Sequence, residues 1–376
     1  MVDRISTMPE GVLSHILSFL PAEDAFATRL LSKKWKPLWL LTPTLDFDQH
    51  RSGNLLPSPS SFTQFIYAAI LGRSIHQPIK TLRLKGRYCS NLHLNIWLNA
   101  AAERQVQTLE VDIPCREHLF PILPCSIFSI KTLVLLKLKD VAAFFDAFSV
   151  ELPSLKVLHL DTARFLDPQH LMMLLNGCPI LETLKAEGVT FKVDDGPSSS
   201  FKSNFKTLSK LVKADVIHVM MMDYHIPVRI FCHAEFLRLD KYCDVDIPIF
   251  SNLIDLELIS GFNVQWKSLI DMLNRCPQLQ TFVFENIARP DDDDNIWLNT
   301  HVDVPECFSS QLRRFDFINF TGKECEMRFI KFVMQNSTSL RTMTISSMPD
   351  LNLEKKHAEM LEELASCPRS CNFYVC

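Results

Sequence analysis

The sequence predicts an α/β solenoid preceded by a small all-helical segment. Three observations predict it: a helical apolar periodicity confined to residues 8–41, a short apolar word that returns from about residue 77 onward, and amphipathic helical stretches set between copies of that word. At 376 residues the chain is too long for one ordinary compact core, and a stack of repeats accommodates the length. Hydrophobic residues make up 47% and charged residues 22%, the balance of a folded chain and not of a disordered one.

The helical segment comes first. Val12, Leu13, Ile16, Leu17 and Leu20 recur at helical spacing and share one side of a helix that Pro21 ends. Glu23 and Asp24 stand where the first turn of a second helix favours negative charge, and Phe26 and Leu30 give that helix an apolar side. Ser32 is placed to cap a third helix, on which Trp35, Leu38 and Trp39 align. Three short helices have little core of their own, so an exposed apolar surface is expected here. A polar stretch over residues 51–61, rich in serine and proline, reads as a linker.

The returning word follows. It runs Thr81-Leu82-Arg83-Leu84, Thr108-Leu109-Glu110-Val111, Thr132-Leu133-Val134-Leu135, Leu155 to Leu160, Leu181 to Ala186, Leu208 to Leu211, and Phe236 to Leu239. Leu253 to Leu258, Leu279 to Phe284, Leu312 to Phe317 and Leu340 to Ile345 complete eleven units. Most intervals are 24–28 residues, the period of a leucine-rich repeat, LxxLxL, with one strand per turn. One interval of 19 and one of 33 imply a shortened and an expanded repeat, and the expanded one holds Asp291–Asp294, read as a solvated acidic loop. Helices are expected over Phe62–Ser74, Leu92–Gln105, Pro168–Asn176, Trp266–Arg275 and Met327–Asn336. Two of them end at Cys178-Pro179 and Cys276-Pro277, where proline stops the helix and a small thiol fills the turn. The expected architecture is a curved stack, strands inside and helices outside, each turn burying its leucines against its neighbours.

Composition narrows the function. A net charge of −4 gives no electrostatic footprint for nucleic acid, and nine glycines are few for phosphate-cradling loops. No stretch of about 18 apolar residues escapes charge or proline, so no membrane span is expected. The N-terminus lacks the basic start and apolar core of a signal peptide, and the twelve cysteines are scattered without a CxxC pair. They read as reduced thiols in a nuclear or cytoplasmic protein. Cys367 and Cys371 are four apart and Cys232-His233 are adjacent, but no second pair stands at ligand spacing, so neither a metal nor a cofactor is expected. No cysteine is marked as a nucleophile.

Ile5-Ser6-Thr7-Met8-Pro9-Glu10, His15 to Pro21, Leu30 to Trp35, Leu38-Trp39 and Leu45 to Asp48 together resemble the plant F-box, with Met8 where that family usually has leucine. Val304 to Cys307, Glu324 to Asn336, Leu340 to Ile345 and Leu361 to Ser370 resemble the FBD domain of plant F-box proteins, and the middle resembles the leucine-rich repeats found between these two domains. The resemblance implies an F-box over 1–50, repeats over 62–300, and an FBD-like region over 301–376 that continues the solenoid. It further implies a non-catalytic adaptor that docks on a Skp-type protein, and through it a cullin-RING ligase, while its repeats hold a protein substrate for ubiquitination. Carried over by position, Met8, Pro9, Leu13, Ile16, Leu17, Leu20 and Pro21 would face the Skp-type adaptor, with Leu30, Trp35 and Trp39 nearby. Residues between the strand leucines should point to the concave side: Arg83, Lys85, Glu110, Asp112, His159, Asp161, Lys185, Arg238, Asp240, Asp255, Glu257 and Asp316. They are a candidate target-binding face, against the plain reading of a solvated surface of mixed charge. Two other classes of function compete: a repeat scaffold acting outside ubiquitination, and a small-molecule co-receptor.

Overall fold

The structure is a computed structural model that describes residues 5–51, 58–74, 77–86, 90–114, 120–144, 150–192, 206–219, 226–240, 247–260, 266–287, 303–347, 362–364 and 371–375. The Asp291–Asp294 loop, the centre of the 51–61 stretch, Cys367 and most of the final helix of the FBD-like region lie outside the described residues. The chain forms two compact units, residues 1–204 with 219–222, and residues 205–218 with 223–376.

The first unit opens with α1 (Glu10–Leu17), α2 (Ala22–Ala27) and α3 (Trp35–Leu38), joined by short 3-10 turns at Thr28–Leu30 and Trp39–Leu41. Strand β1 (Thr44–Asp48) comes next, then α4 (Pro59–Leu71), β2 (Thr81–Lys85), α5 (Asn91–Glu103), β3 (Thr108–Asp112) and β4 (Leu135–Lys139). Then follow β5 (Ala142–Ala143), β6 (Val157–Asp161), β7 (Arg164–Phe165), α6 (Pro168–Asn176), β8 (Thr183–Glu187) and β9 (Thr190–Phe191). Strands β1, β2, β3, β4, β6 and β8 form one parallel ladder, and β5, β7 and β9 a second, shorter one. Leu45, Leu82, Leu109, Leu136, Leu158 and Leu184 lie side by side in register and are buried, as are Phe47, Leu84, Val111, Leu138, Leu160 and Ala186 two residues on. Strand alternation therefore buries one face and leaves the other open.

The turns after these strands recur as well. Asp140, Thr162 and Gly188 follow β4, β6 and β8 with φ of 55°, 52° and 64°. Each left-handed residue redirects the chain at the same point of its repeat, and glycine alone does so without strain. Gly177, after α6, is required for a different reason: a Cβ there would come within 2.5 Å of the Val150 carbonyl oxygen. Cys178 and Cys276 are fully buried, their thiols directed at the carbonyls of Leu174 (3.1 Å) and Met272 (3.2 Å), so both fill a helix exit. Burial pushes the Cys178 thiol up to about 12, which leaves it inert.

The second unit repeats the scheme with β10 (Lys213–Ile217), β11 (Phe236–Leu239), β12 (Asp255–Ser260), α7 (Trp266–Asn274), β13 (Thr281–Asn286) and α8 (Glu306–Ser310). It continues through β14 (Arg314–Phe320), α9 (Glu324–Asn336), β15 (Thr342–Ser347) and β16 (Asn372–Val375), all its strands parallel. In β13 and β14 the inward leucines give way to phenylalanine. Phe282 stacks on Phe315 at 5.5 Å, Phe284 lies 5.2 Å from Phe317, and Phe329 of α9 touches Phe282, Phe284 and Phe315. One polar group enters this layer. Glu326 of α9 is buried and accepts hydrogen bonds from Asn286 Nδ2 (2.7 Å), Thr321 Oγ1 (2.8 Å), Thr321 N (2.9 Å) and Lys323 N (3.3 Å). Burial raises its carboxyl above the ordinary value of 4.5 despite those donors.

The α/β class, the helical start and the leucine-rich-repeat strands are as the sequence predicts. The register differs in two units. Leu133 and Leu211 are the first leucine of their words and not the fourth letter: the strands are Leu135–Lys139 and Lys213–Ile217, with Leu136 and Ala214 in the central row. The ladders also hold two strands beyond the eleven expected, β1 and β16. Helix α4 starts at Pro59, earlier than Phe62, because Ser58 caps it by accepting from Ser61 N at 3.1 Å.

Candidate functional site

Two surfaces carry the candidate residues. The first is on the N-terminal helices. Leu13 and Leu17 of α1 are buried, as are Trp35, Leu38 and Trp39. Trp39 meets Phe26 edge-on at 4.9 Å and stacks on Phe65 of α4 at 6.0 Å, so it belongs to the joint between these helices and the first repeat. Of the ten residues carried over as adaptor-facing, Leu13, Leu17, Trp35 and Trp39 are thus internal, a correction forced by packing. Met8, Pro9, Ile16 and Leu30 are exposed, and Leu20 and Pro21 are half-buried.

The exposed set has members that the sequence reading passed over: Ile5, Val12, Phe19 and Leu31. Phe19 is 76% and Leu30 82% exposed, values that no single chain gains from. The division on α1 is geometric. Val12–Ile16 and Leu13–Leu17 are two i,i+4 pairs set one residue, about 100°, apart. One pair turns inward and the other outward, so a single stripe in the sequence is two faces in space. Lys34 Nζ donates to the carbonyls of Ser6 (2.6 Å) and Met8 (2.8 Å), and Trp35 Nε1 donates to Ser6 Oγ (2.9 Å). These bonds hold the segment that presents Ile5 and Met8.

The second surface is the open face of the strands, opposite the helices. In the first unit Arg83, Glu110, His159 and Lys185 lie in one row, and Lys85, Asp112 and Asp161 in the next, as expected. Asp46, Lys137, Asp48, Lys139 and Glu187 complete those rows and were missed. The LxxLxL spacing of Leu133, Leu136 and Leu138 marks Lys137 and Lys139, and the resemblance of β1 to the later strands marks Asp46 and Asp48. Charge alternates from strand to strand. Arg51 pairs with Asp46 (3.0 Å) and Asp48 (3.2 Å), Arg83 with Glu110 (3.2 Å), Lys139 with Asp161 (2.8 Å) and Lys185 with Glu187 (3.0 Å). Lys137 also reaches Glu110 at 3.7 Å and Lys85 reaches Asp112 at 4.0 Å. Cation and anion are in balance.

In the second unit the balance fails. Arg238 is the central cation, 3.2 Å from Glu257, 3.9 Å from Asp215 and 4.0 Å from Glu285. The Arg238 Nε–Glu257 contact lies off the N–H axis, so it is an ion pair without a hydrogen bond. Burial pushes the Glu257 carboxyl up, Arg238 pulls it down, and Asp215 raises it again; the net is upward. Asp316 is 6% exposed, with Oδ2 bonded to Arg314 Nε at 2.7 Å and Oδ1 without a hydrogen-bond partner. Asp255 lies in register with Phe236 and Thr281, while Asp240 follows β11 and accepts from His218 N. Among the described residues, no group of three or more His, Cys, Asp or Glu could hold a metal ion. No described helix is long and apolar enough to cross a membrane.

Comparison with known proteins matches this division. The F-box domain model matches residues 5–43, the leucine-rich repeats of FBD-associated F-box proteins match 94–218, and the FBD model matches 301–345. Over nearly the whole length, the chain is 30% identical to F-box/FBD/LRR-repeat protein At4g26340 of Arabidopsis thaliana, covering 98% of this chain and 97% of that one. It is 27% identical to F-box/FBD/LRR-repeat protein At5g56420 of the same plant, covering 98% and 96%. The chain belongs to the F-box/FBD/LRR-repeat protein family.

Proposed function

We propose that the chain is the non-catalytic, target-recruiting subunit of a Skp–cullin–F-box ubiquitin ligase. The observation that carries this reading is the outward apolar strip of Met8, Val12, Ile16, Phe19, Leu30 and Leu31, inside the stretch matched by the F-box model. Burying such side chains against a partner contributes about 1.5–3 kcal/mol for each one fully covered. A Skp-type adaptor is the partner that an F-box implies, and a cullin and a RING protein follow from it. The open strand face then holds a protein target near the conjugating enzyme. The contribution is proximity, an effective-concentration effect, and the bond-making chemistry belongs to the other subunits. The F-box spans 1–50, the repeats 62–300 and the FBD-like region 301–376, in a protein of the nucleus or cytoplasm.

The test is binding of the purified chain to a recombinant Skp-type adaptor. Ile16→Asp combined with Phe19→Asp should weaken it by about 100-fold or more, because both side chains stand in the centre of the strip. Circular dichroism should show both chains folded alike. Equal adaptor binding by the two would sink the reading. Proximity labelling with the docking-deficient variant, which leaves targets undegraded, then identifies the targets.

A further inference from the structure

We propose that the open face of the second unit, around Val283, receives an arginine- or lysine-bearing segment of the target protein. This deepens the target-recruiting reading above and rests on it.

The geometry is a carboxylate triangle. Glu257 on β12, Val283 on β13 and Asp316 on β14 stand in register, and Glu285 follows Val283 on the same face two residues on. Neighbouring strands lie about 4.8 Å apart, so Glu257 and Asp316 are about 10 Å apart with an uncharged residue between them. A cationic side chain lying over Val283 would be within reach of all three carboxylates. Its aliphatic stem would cover the valine.

Charge count and burial both point to that occupant. Asp215, Asp255, Glu257, Glu285 and Asp316 are five carboxylates on this face, and the cations set against them are Lys213, which lies over the Phe236 ring, Arg238 and Arg314. Arg238 is shared among three of the five at 3.2–4.0 Å. The first unit has the same kind of face with its charges matched strand by strand, so the deficit is a property of this region and not of the fold. The burial of Asp316 is a second observation, separate from the count. Asp316 alternates with the fully buried Phe315 and Phe317, so its side chain turns to the open face, yet it is 94% buried and its Oδ1 has no hydrogen-bond partner. A buried carboxylate oxygen left unpaired is costly, and a donor supplied by a bound chain removes that cost. Guanidinium fits best, because it can bond two carboxylates at once in a planar fork.

The experiment uses the full chain and a fluorescein-labelled, terminally blocked hexa-arginine peptide, with hexa-glutamine and hexa-glutamate peptides as controls, in anisotropy titrations at physiological salt. Hexa-arginine should bind and the controls should not. Glu257→Gln with Glu285→Gln should weaken binding about tenfold, and Val283→Lys, which supplies the cation internally, should do so at least as strongly. Glu151→Gln with Glu182→Gln, surface carboxylates of the first unit outside the candidate face, should leave binding unchanged. Asp316→Asn should act like the glutamate pair. If circular dichroism shows that it fails to fold, the half-exposed positions 257, 283 and 285 decide the matter. Absence of hexa-arginine binding, or an equal loss in the first-unit variant, overturns the proposal. Adaptor binding is scored separately: a chain that binds adaptor but not hexa-arginine refutes this inference and leaves the adaptor reading standing, and the reverse result does the opposite.

Discussion

Apolar residues are used in opposite ways at the two ends of the first unit. In the ladder, every central-row position from Leu45 to Leu184 is buried, and the open face is charged. On the N-terminal helices, Leu13 and Leu17 turn inward while Val12, Ile16 and Phe19, of the same chemical type on the same stretch of chain, stand in solvent. A ladder strand has neighbours on both sides that bury its leucines, whereas three short helices do not have enough surface among themselves. Exposure at the F-box is therefore a consequence of size as well as a signal of partnership.

Substitutions can break or sharpen this contrast. The largest loss should come from Leu17→Asp, which buries a charge in the helix core. It should destabilise the N-terminal helices by about 4 kcal/mol or more, seen as an early transition in chemical denaturation. Phe282→Ala in the second unit's aromatic layer should cost about 3–5 kcal/mol, since its ring neighbours Phe284, Phe315 and Phe329 cannot close the cavity. Glu326→Ala should cost about 3 kcal/mol by orphaning the donors of Asn286, Thr321 and Lys323. Glu326 also fixes a pH dependence. Its carboxyl is held above 4.5 in the folded chain, so the folded state binds the proton more tightly than the unfolded one. Its contribution is greatest below pH 4.5 and is lost as pH rises through the folded value; Glu326→Gln should flatten the stability profile in that window. Thr162→Gly should move the other way, raising stability by up to about 1 kcal/mol, because a β-branched residue at φ 52° is strained. Smallest of all, Ile16→Asp should change stability by less than about 0.5 kcal/mol, as a surface substitution does. A loss as large as that of Leu17→Asp would erase the distinction between the two faces of α1.

Much of this is legible in the sequence alone. The period of the leucine word predicts the parallel ladders, and the F-box wording locates the docking helices. Two things are not. Thr132-Leu133-Val134-Leu135 imitates the strand word closely enough to hide the true strand three residues on, and with it Lys137 and Lys139. The partition of α1 is invisible because helical periodicity reports a stripe about 100° wide or more without saying which edge meets another helix. That choice is made by α3 and the Trp39–Leu41 turn, which pack against α1 from farther along the chain. The carboxylate excess over β12–β14 is equally non-local: Glu257, Glu285 and Asp316 are unremarkable singly and adjacent only once the register is set.

Strand β1 has a mechanical consequence. Its sequence reads as the tail of the F-box, yet it is the first rung of the ladder, and the carbonyl of Pro43, just before it, accepts from both Lys80 N (2.8 Å) and Thr81 N (3.1 Å). Arg73, buried at the end of α4, bonds the carbonyls of Trp39 and Thr42, and Arg104 at the end of α5 bonds that of Ile70. Helices, first strand and first repeats are thus geared together with no slack between them. Whatever grips the outward face of α1 also sets the bearing of the first repeats, as a handle sets the angle of a blade. Severing the chain after residue 43 would remove the handle and leave β1 as a raw sheet edge, open to pairing with any strand it meets.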